Sequence, residues 1–459
     1  MKKTILFTLL AGGGWLLYPQ QQRILIDIFG GDRATIAIPD FRGSGDAQKY
    51  MDVFNQVLWS DVQAASLFKM AAKSVYPLEL PQQPKDFKLP SMPPDAARKN
   101  TPSPQPVRQG PWLTDWSAPP VSASHLAFGY SGVQGDQLVL FGWLYNVTQT
   151  DLANAQMIGK LYFGPLSEAG ARKVAHEFAA DILKQFGGVS LMGSKIYFVS
   201  NRTGNKEIWQ MDYDGANQKQ FTNYKSISTM PSVSPDSSKI AFTSFAGGNP
   251  AIVIHSLESG RRLPFYNQKA SMNATADFTP DAKSIVYSSS ASGVAQLYLA
   301  NIDGSNLRRL SSGTSIEVEP KVNPKTSSEV VFVSGRSGPQ QIYRMNIDGA
   351  DVQRLSSGEG QASNPAWHPN GTHIAFAWTR GYEPGNFNIF VMDVATREYV
   401  QLTFGAGRNE NPTWAPDGRH IVFASTRGGS MQIWTMMADG KDPKQLTTQG
   451  RNEMPVWNK

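Results

Sequence analysis

The chain offers few side chains placed for chemistry. Of its six histidines, only His368 and His373 stand close together. They flank the turn sequence Pro369-Asn370-Gly371 instead of lying four apart on a helix as a metal pair would, so they read as a turn residue and a strand residue. Asp212-Tyr213-Asp214-Gly215 has the opening of a calcium loop but no third oxygen ligand and no distal glutamate, and it reads as a hairpin turn. A nucleophile elbow requires G-x-S-x-G; Gly129-Tyr130-Ser131-Gly132 and Gly313-Thr314-Ser315 are the nearest approaches, and neither fits. Cysteine is absent, which removes disulfides, thiolate metal sites and a thiol nucleophile together. No catalytic residue, metal site or cofactor is expected.

One polar constellation remains. It recurs ahead of a strand in each of six units: Ser228-Thr229 before Pro231, Met272-Asn273, Glu317 and Glu319 before Pro320, Ser363-Asn364 before Pro365, Asn409-Glu410 before Pro412, and Arg451-Asn452-Glu453. Carboxylates and amides gathered at one rim could receive a protein or a small polar ligand. The same step could simply start each strand, and the two roles are compatible.

The elements that would gather these residues are legible as a repeat. Pro235, Pro280, Pro324, Pro369 and Pro416 are spaced 45, 44, 45 and 47 residues apart, a period that marks propellers and other arrays. Each proline sits in a variant of one turn, such as Val233-Ser234-Pro235-Asp236 or Trp414-Ala415-Pro416-Asp417. A short alternating strand follows, then a glycine-containing turn, a second such strand, an Asp-Gly type turn and an outer strand ending near Arg-Leu-Ser or Gln-Leu-Thr. Four strands per unit is the layout of a propeller blade. The first unit, beginning at Lys195, lacks an inner strand, whereas residues 452–457 form an inner strand with nothing after it. Pairing these orphans closes a ring of six blades and removes two sheet edges.

Ahead of the expected propeller (residues 189–459), residues 20–188 read as a small two-layer α/β domain. Its expected elements are strands at residues 23–28 and 35–38, a helix over 44–73, strands at 125–130, 137–143 and 158–163, and a helix over 166–186. Nine prolines crowd residues 81–111, and the stretch from about 76 to 120 reads as an extended, mobile insertion. Residues 1–19 combine a basic head with an apolar run over 5–18. That run is too short to span a bilayer comfortably, which takes roughly 20 residues, and the segment reads as a secretion leader with no membrane span left after cleavage. The net charge of +6 is scattered through the sequence, without the basic block that tracks a phosphate backbone, so no nucleic-acid partner is expected.

Leader, small α/β domain and P-x-W/F-x-P-D type blades, in that order, resemble the TolB family, periplasmic components of the Tol-Pal system. The resemblance also rests on Gln22 to Asp27 after the leader and on Asp115-Trp116-Ser117. It implies a periplasmic, non-catalytic adaptor, monomeric, that supports outer-membrane integrity and cell division. It further implies a Pal-like lipoprotein bound at the propeller mouth by Met272, Asn273, Glu317, Glu319, Asn364, Asn409, Glu410 and Glu453. A TolA-like inner-membrane protein would be engaged through Gln22, Arg23, Ile24, Leu25, Ile26 and Asp27 by strand addition. The alternative is an exported propeller enzyme, or a sensor of small ligands, acting on sugars or peptides.

Overall fold

In a computed structural model of the chain, residues 33–88, 110–149 and 151–458 are described, together with Ile24 and Ile28. The expected leader lies outside them. Two compact units result, residues 29–192 and residues 193–459, with Ile24 and Ile28 grouped with the second.

The first unit is built on one sheet. Strand order is Phe68–Met70, Ala34–Ala37, His125–Gln134, Gln137–Asn146 and Gln156–Pro165. Ala34–Ala37 pairs in parallel with both neighbours, and the last three strands form an antiparallel meander. Helices Met51–Ala64 and Glu168–Gln185 cover one face, burying Phe54, Leu58, Val174, Phe178 and Ile182 against Leu138 and Leu140. Four-residue spacing supplies those helical stripes. Ser167 starts the second helix by accepting the Gly170 N–H at 3.2 Å, and Gly170 must be glycine because a Cβ there would sit 1.7 Å from the Pro165 carbonyl oxygen.

Three expectations change here. The helix expected to reach Lys73 ends at Ala64; Ser66 takes a positive φ of 52° and the chain turns into the short strand Phe68–Met70. That strand's apolar residues continue the helical spacing, but parallel pairing and the Phe68–Phe186 ring contact at 4.6 Å outweigh it. The proline-rich stretch is packed at its described ends. Phe87, Leu113 and Trp116 cover the other sheet face against Phe128 and Tyr145, and the Tyr76 hydroxyl donates to Ala71 O at 2.9 Å while accepting the Ile38 N–H at 3.0 Å. In the segment read as a strand at 23–28, Ile24 and Ile28 are helical and buried, 1% and 8% exposed. A short apolar run does not distinguish strand from helix by spacing alone. Gln22, Arg23, Leu25, Ile26 and Asp27 lie outside the described residues.

The second unit is a ring of six four-stranded blades. Blade one pairs Lys195–Thr203, Asn205–Asp212 and Lys219–Gln220 with the C-terminal strand Asn452–Asn458, whose Trp457 lies opposite Ile196. The inner strands of blades two to six are Ser228–Val233, Asn273–Phe278, Glu317–Val322, Ala362–Trp367 and Asn409–Trp414. Tryptophans ending inner strands fasten them to what comes before: Trp367 Nε1 donates to Lys321 O, Trp414 Nε1 to Ala366 O, and Trp457 Nε1 to Ser194 Oγ. The Pro-Asp turns close on their own side chains, Asp281 accepting Thr279 Oγ1 at 2.6 Å and the Lys283 N–H at 3.1 Å. Blade four has Asn323-Pro324-Lys325 instead, and there the Asn323 side chain accepts the Lys325 N–H.

Candidate protein interface at the propeller mouth

One backbone hydrogen bond, repeated in all six blades, brings the residue before each inner strand to the same end of the ring. The turn between the second and third strands donates an N–H to that residue's carbonyl: Phe245 to Ile227, Ser290 to Met272, Gly335 to Ile316, Thr379 to Gln361, Thr426 to Arg408 and Asn201 to Arg451. These six residues form the outermost ring. Ile227 and Ile316 are 43% and 42% exposed, Arg408 and Arg451 are exposed, and Met272 and Gln361 are partly so. Blades two to four thus present apolar side chains at the mouth, and blades five, six and one present an amide and two guanidinium groups.

The next residue inward, the first of each inner strand, faces the seam between blades. Ser228, Asn273, Glu317, Ala362, Asn409 and Asn452 are all buried. Five of them pair directly opposite a serine of the second strand, as in Glu317 with Ser334 and Asn409 with Ser425. A β-bulge then interrupts every inner strand. Its third residue, Met230, Thr275, Glu319, Asn364, Asn411 or Met454, takes a φ of 52–53°. The bulge turns that side chain into the central channel, a cavity of about 100 Å³.

Six of the eight mouth residues named from the sequence therefore fall into three tiers. Met272 lies on the outer ring. Asn273, Glu317 and Asn409 are seam residues, buried where their position is sandwiched between blades. Glu319 and Asn364 face the channel, where the Asn364 N–H donates to Glu319 Oε2 at 2.7 Å and the Asn411 N–H donates to Asn364 Oδ1 at 3.3 Å. Burial pushes the Glu319 carboxyl up, against the opposing pull of the Asn364 N–H and of Lys321. Glu410 is partly exposed and accepts Arg408 Nε at 3.1 Å; Glu453 is 8% exposed and is held by Arg451 Nε at 3.1 Å and by Lys206. Across the ring, Asp277 of blade three accepts Ser232 Oγ from blade two and Lys321 Nζ from blade four, both at 3.0 Å. Glu319 and Asp277 are thus committed to joining blades, while Glu410 and Glu453 are held within their own.

The named set omits Ile227, Ile316, Gln361, Arg408 and Arg451 on the outer ring and Met230, Thr275, Asn411 and Met454 in the channel. The available signal was position within the repeat: the residue just before each inner strand points out, and the third residue of the strand, which precedes a proline in every blade but the third, points in.

The histidines read as turn and strand residues do hold a turn and a strand. His368 Nε2 donates to Gly418 O at 2.8 Å while its Nδ1 accepts the Asn370 N–H at 3.0 Å; burial lowers its pKa, consistent with that neutral tautomer. His373 lies in the following strand. At Asp212 the Gly215 N–H closes a turn onto the Asp212 carbonyl at 2.9 Å. Among the described residues no group of three or more His, Asp or Glu side chains is arranged to hold a metal ion, and no helix is long and apolar enough to cross a membrane.

Comparison with known proteins fits this architecture. The profile described as TolB beta propeller domain matches residues 183–381 and 355–459. A "Protein TolB homolog" of Chlorobium chlorochromatii is 35% identical over 205 residues, 44% of this chain and 44% of that protein. A "Tol-Pal system protein TolB" of Bordetella pertussis is 29% identical over 182 residues, 39% of this chain and 41% of that one. The alignments thus span less than half the length of these curated relatives. The crystal structure of TolB from Acinetobacter baumannii shares the fold over 93% of this chain and 97% of its own, with a TM-score of 0.71 at 21% identity. Since the family profile covers well over half of the residues, the chain belongs to the TolB β-propeller family.

Proposed function

We propose that this chain is a non-catalytic periplasmic adaptor of the Tol-Pal system. In this reading the propeller mouth receives a Pal-like, peptidoglycan-associated lipoprotein, and the segment Gln22 to Asp27 engages a TolA-like inner-membrane protein. The two contacts together support outer-membrane integrity and cell division. The observation that carries the reading is the shape of the mouth: a mixed apolar and basic outer ring stands in front of a channel of only about 100 Å³. Sites that enclose small molecules occupy roughly 300–1,000 Å³, so recognition here falls to the ring surface, as a protein partner requires. The names borne by the relatives supply the system.

Two positions refine the contacts. Ile316 and Arg408 replace the buried glutamates as the residues to change, because they are exposed and lie on opposite halves of the ring. Ile24 is helical and buried, so adding this segment to a partner sheet first requires Ile24 to leave its packing. The test is affinity capture from envelope extracts with the intact chain, with Ile316→Asp/Arg408→Glu, and with a chain lacking residues 22–27. The lipoprotein signal is expected to fall about tenfold or more only for the double substitution, and the TolA-like signal only for the deletion. An intact chain that captures neither protein sinks the adaptor reading.

A further inference from the structure

Two of the seams between blades are closed by one shared arrangement, and blade four departs from it by a single group. The seam residue is asparagine in blades one, three and six; Asn273 of blade three donates to Gln268 O at 3.0 Å, and the other two share one pattern. Asn409 Oδ1 accepts Ser425 Oγ at 2.8 Å and an Arg427 N–H at 3.0 Å, and its Nδ2 reaches Asn388 Oδ1 of the preceding blade at 3.4 Å. Asn452 Oδ1 accepts Arg202 at 3.1 Å, and its Nδ2 donates to Gln432 Oε1 at 2.7 Å.

Blade four has Glu317 there. Its Oε1 does the same accepting work, from Ser334 Oγ at 3.1 Å and Arg336 at 3.0 Å. Its Oε2 is buried without a hydrogen-bond partner, in a residue 1% exposed. The backbone sets Glu317 where the asparagines stand, its N–H donating to Ala295 O at 2.9 Å as Asn409 donates to Phe387 O and Asn452 to Met431 O. Each of those carbonyls belongs to the residue just before the amide across the seam. Glu317 is thereby set beside Gln296, whose Oε1 accepts Ser311 Oγ at 2.9 Å and whose Nε2 is spent on Ser315 O. Gln432 has the same two bonds, to Thr447 Oγ1 and Gly450 O, and accepts a third from Asn452.

We propose that Glu317 is carried as a neutral carboxylic acid whose O–H donates to Gln296 Oε1, closing the seam between blades three and four where Asn409 and Asn452 use an amide N–H. A carboxylate has no donor, and two acceptor oxygens facing each other across a dry seam repel. The seam is then a proton-dependent joint. Among the described residues Arg336 is the charged group that acts on Glu317, and it favours the carboxylate; burial acts the other way and prevails, raising the carboxyl above its usual range. A raised carboxyl contributes stability that is present below the ordinary glutamate pKa and is lost as pH rises through the raised value.

The test is thermal unfolding of the full chain and of Glu317→Gln between about pH 4 and pH 8. Glutamine keeps the acceptor for Ser334 and Arg336 and supplies a donor at every pH. The two midpoints are expected to agree near pH 4, and the unsubstituted chain to fall about 2–4 °C below the variant by pH 8. A gap that does not change with pH, or a variant less stable throughout, overturns the proposal. Infrared difference spectra of chains carrying 13C-labelled glutamate give a readout independent of stability. As pH rises through the ordinary glutamate range, the unsubstituted chain should keep a protonated-carboxyl band missing from the variant, and its absence overturns the proposal whatever the midpoints do.

Discussion

Arginines two residues beyond the second strand each bind in two ways at once. The Arg427 guanidinium lies 4.9 Å from the Phe423 ring centre and 5.2 Å from that of Trp434, while reaching Asn409 Oδ1 in the seam. Lysine has no planar fork and cannot keep both the stacking and the directed bond. Arg427→Lys is expected to lose about 1–2 kcal/mol in urea unfolding. Arg380 isolates the seam bond, since its own directed bond goes to Ser357 O at 3.4 Å, outside the seam. It stacks on Trp378 and Tyr399 at 5.0 and 5.1 Å, but blade five opens its inner strand with Ala362, which offers no side-chain acceptor. Arg380→Lys should therefore cost about half as much; equal losses would mean that the seam bond contributes nothing. None of this was visible before the strands were paired, because Asn409 and Arg427 stand 18 residues apart and meet only through the register that sets Asn409 opposite Ser425.

At the level of strands and turns, the Pro-Asp step works through a carboxylate held ionised. Burial alone would raise the Asp236 carboxyl. The hydroxyls of Ser234 and Ser238 and the Ser238 N–H outweigh it and hold the group at about 2. A depressed carboxyl gives stability that is present above its unfolded pKa and lost as pH falls through the folded one. The unsubstituted chain should exceed Asp236→Asn by about 0.5–1 kcal/mol near pH 6, a figure discounted because the side chain is half exposed. That margin should shrink steadily from about pH 4 toward pH 2 in denaturant titrations, and a margin independent of pH would show that the turn does not depend on the charge. Asn364 tests the bulge. It holds a φ of 52° and bonds Glu319 through both its N–H and its side chain, so Asn364→Ala should cost about 1–2 kcal/mol, read in the same titrations. These elements also divide what could be read from the sequence. The blades were legible because proline, Asp and β-branched residues mark local turns and strands with a fixed period. The bulge was not, because it reverses the facing of the third residue, and it moves Glu319 into the channel while leaving Glu317 in a seam. The end of the first long helix and the packing of Phe87 and Trp116 were missed for a related reason: their partners, Phe186 and Phe128, lie far along the chain.

For the propeller as a whole, closure depends on its last seven described residues. Asn452–Asn458 supplies the inner strand of blade one, and its side chains meet both neighbours: Ser237 Oγ of blade two donates to Asn458 Oδ1 at 2.9 Å, and Asn452 donates across the seam to Gln432 of blade six. A chain ending at Gly450 would leave Lys195–Thr203 as an open edge and blade six without a neighbour on that side, and unpaired edges associate. Such a chain is expected to lose hydrogen-exchange protection first at Lys195–Thr203 and to elute in part as larger species in size-exclusion chromatography. Because ring closure here is noncovalent, a synthetic peptide of residues 451–459 added in trans should restore both the protection and the elution position, with a dependence on peptide concentration that follows mass action. The same peptide with Trp457→Ala should fail at equal concentration, since it loses a side chain 8% exposed and the Nε1 bond to Ser194, together worth about 3–5 kcal/mol in a buried position. If the truncated chain keeps its protection without the peptide, the blades hold one another through their seams alone, and the returning strand is a fastening the ring does not need.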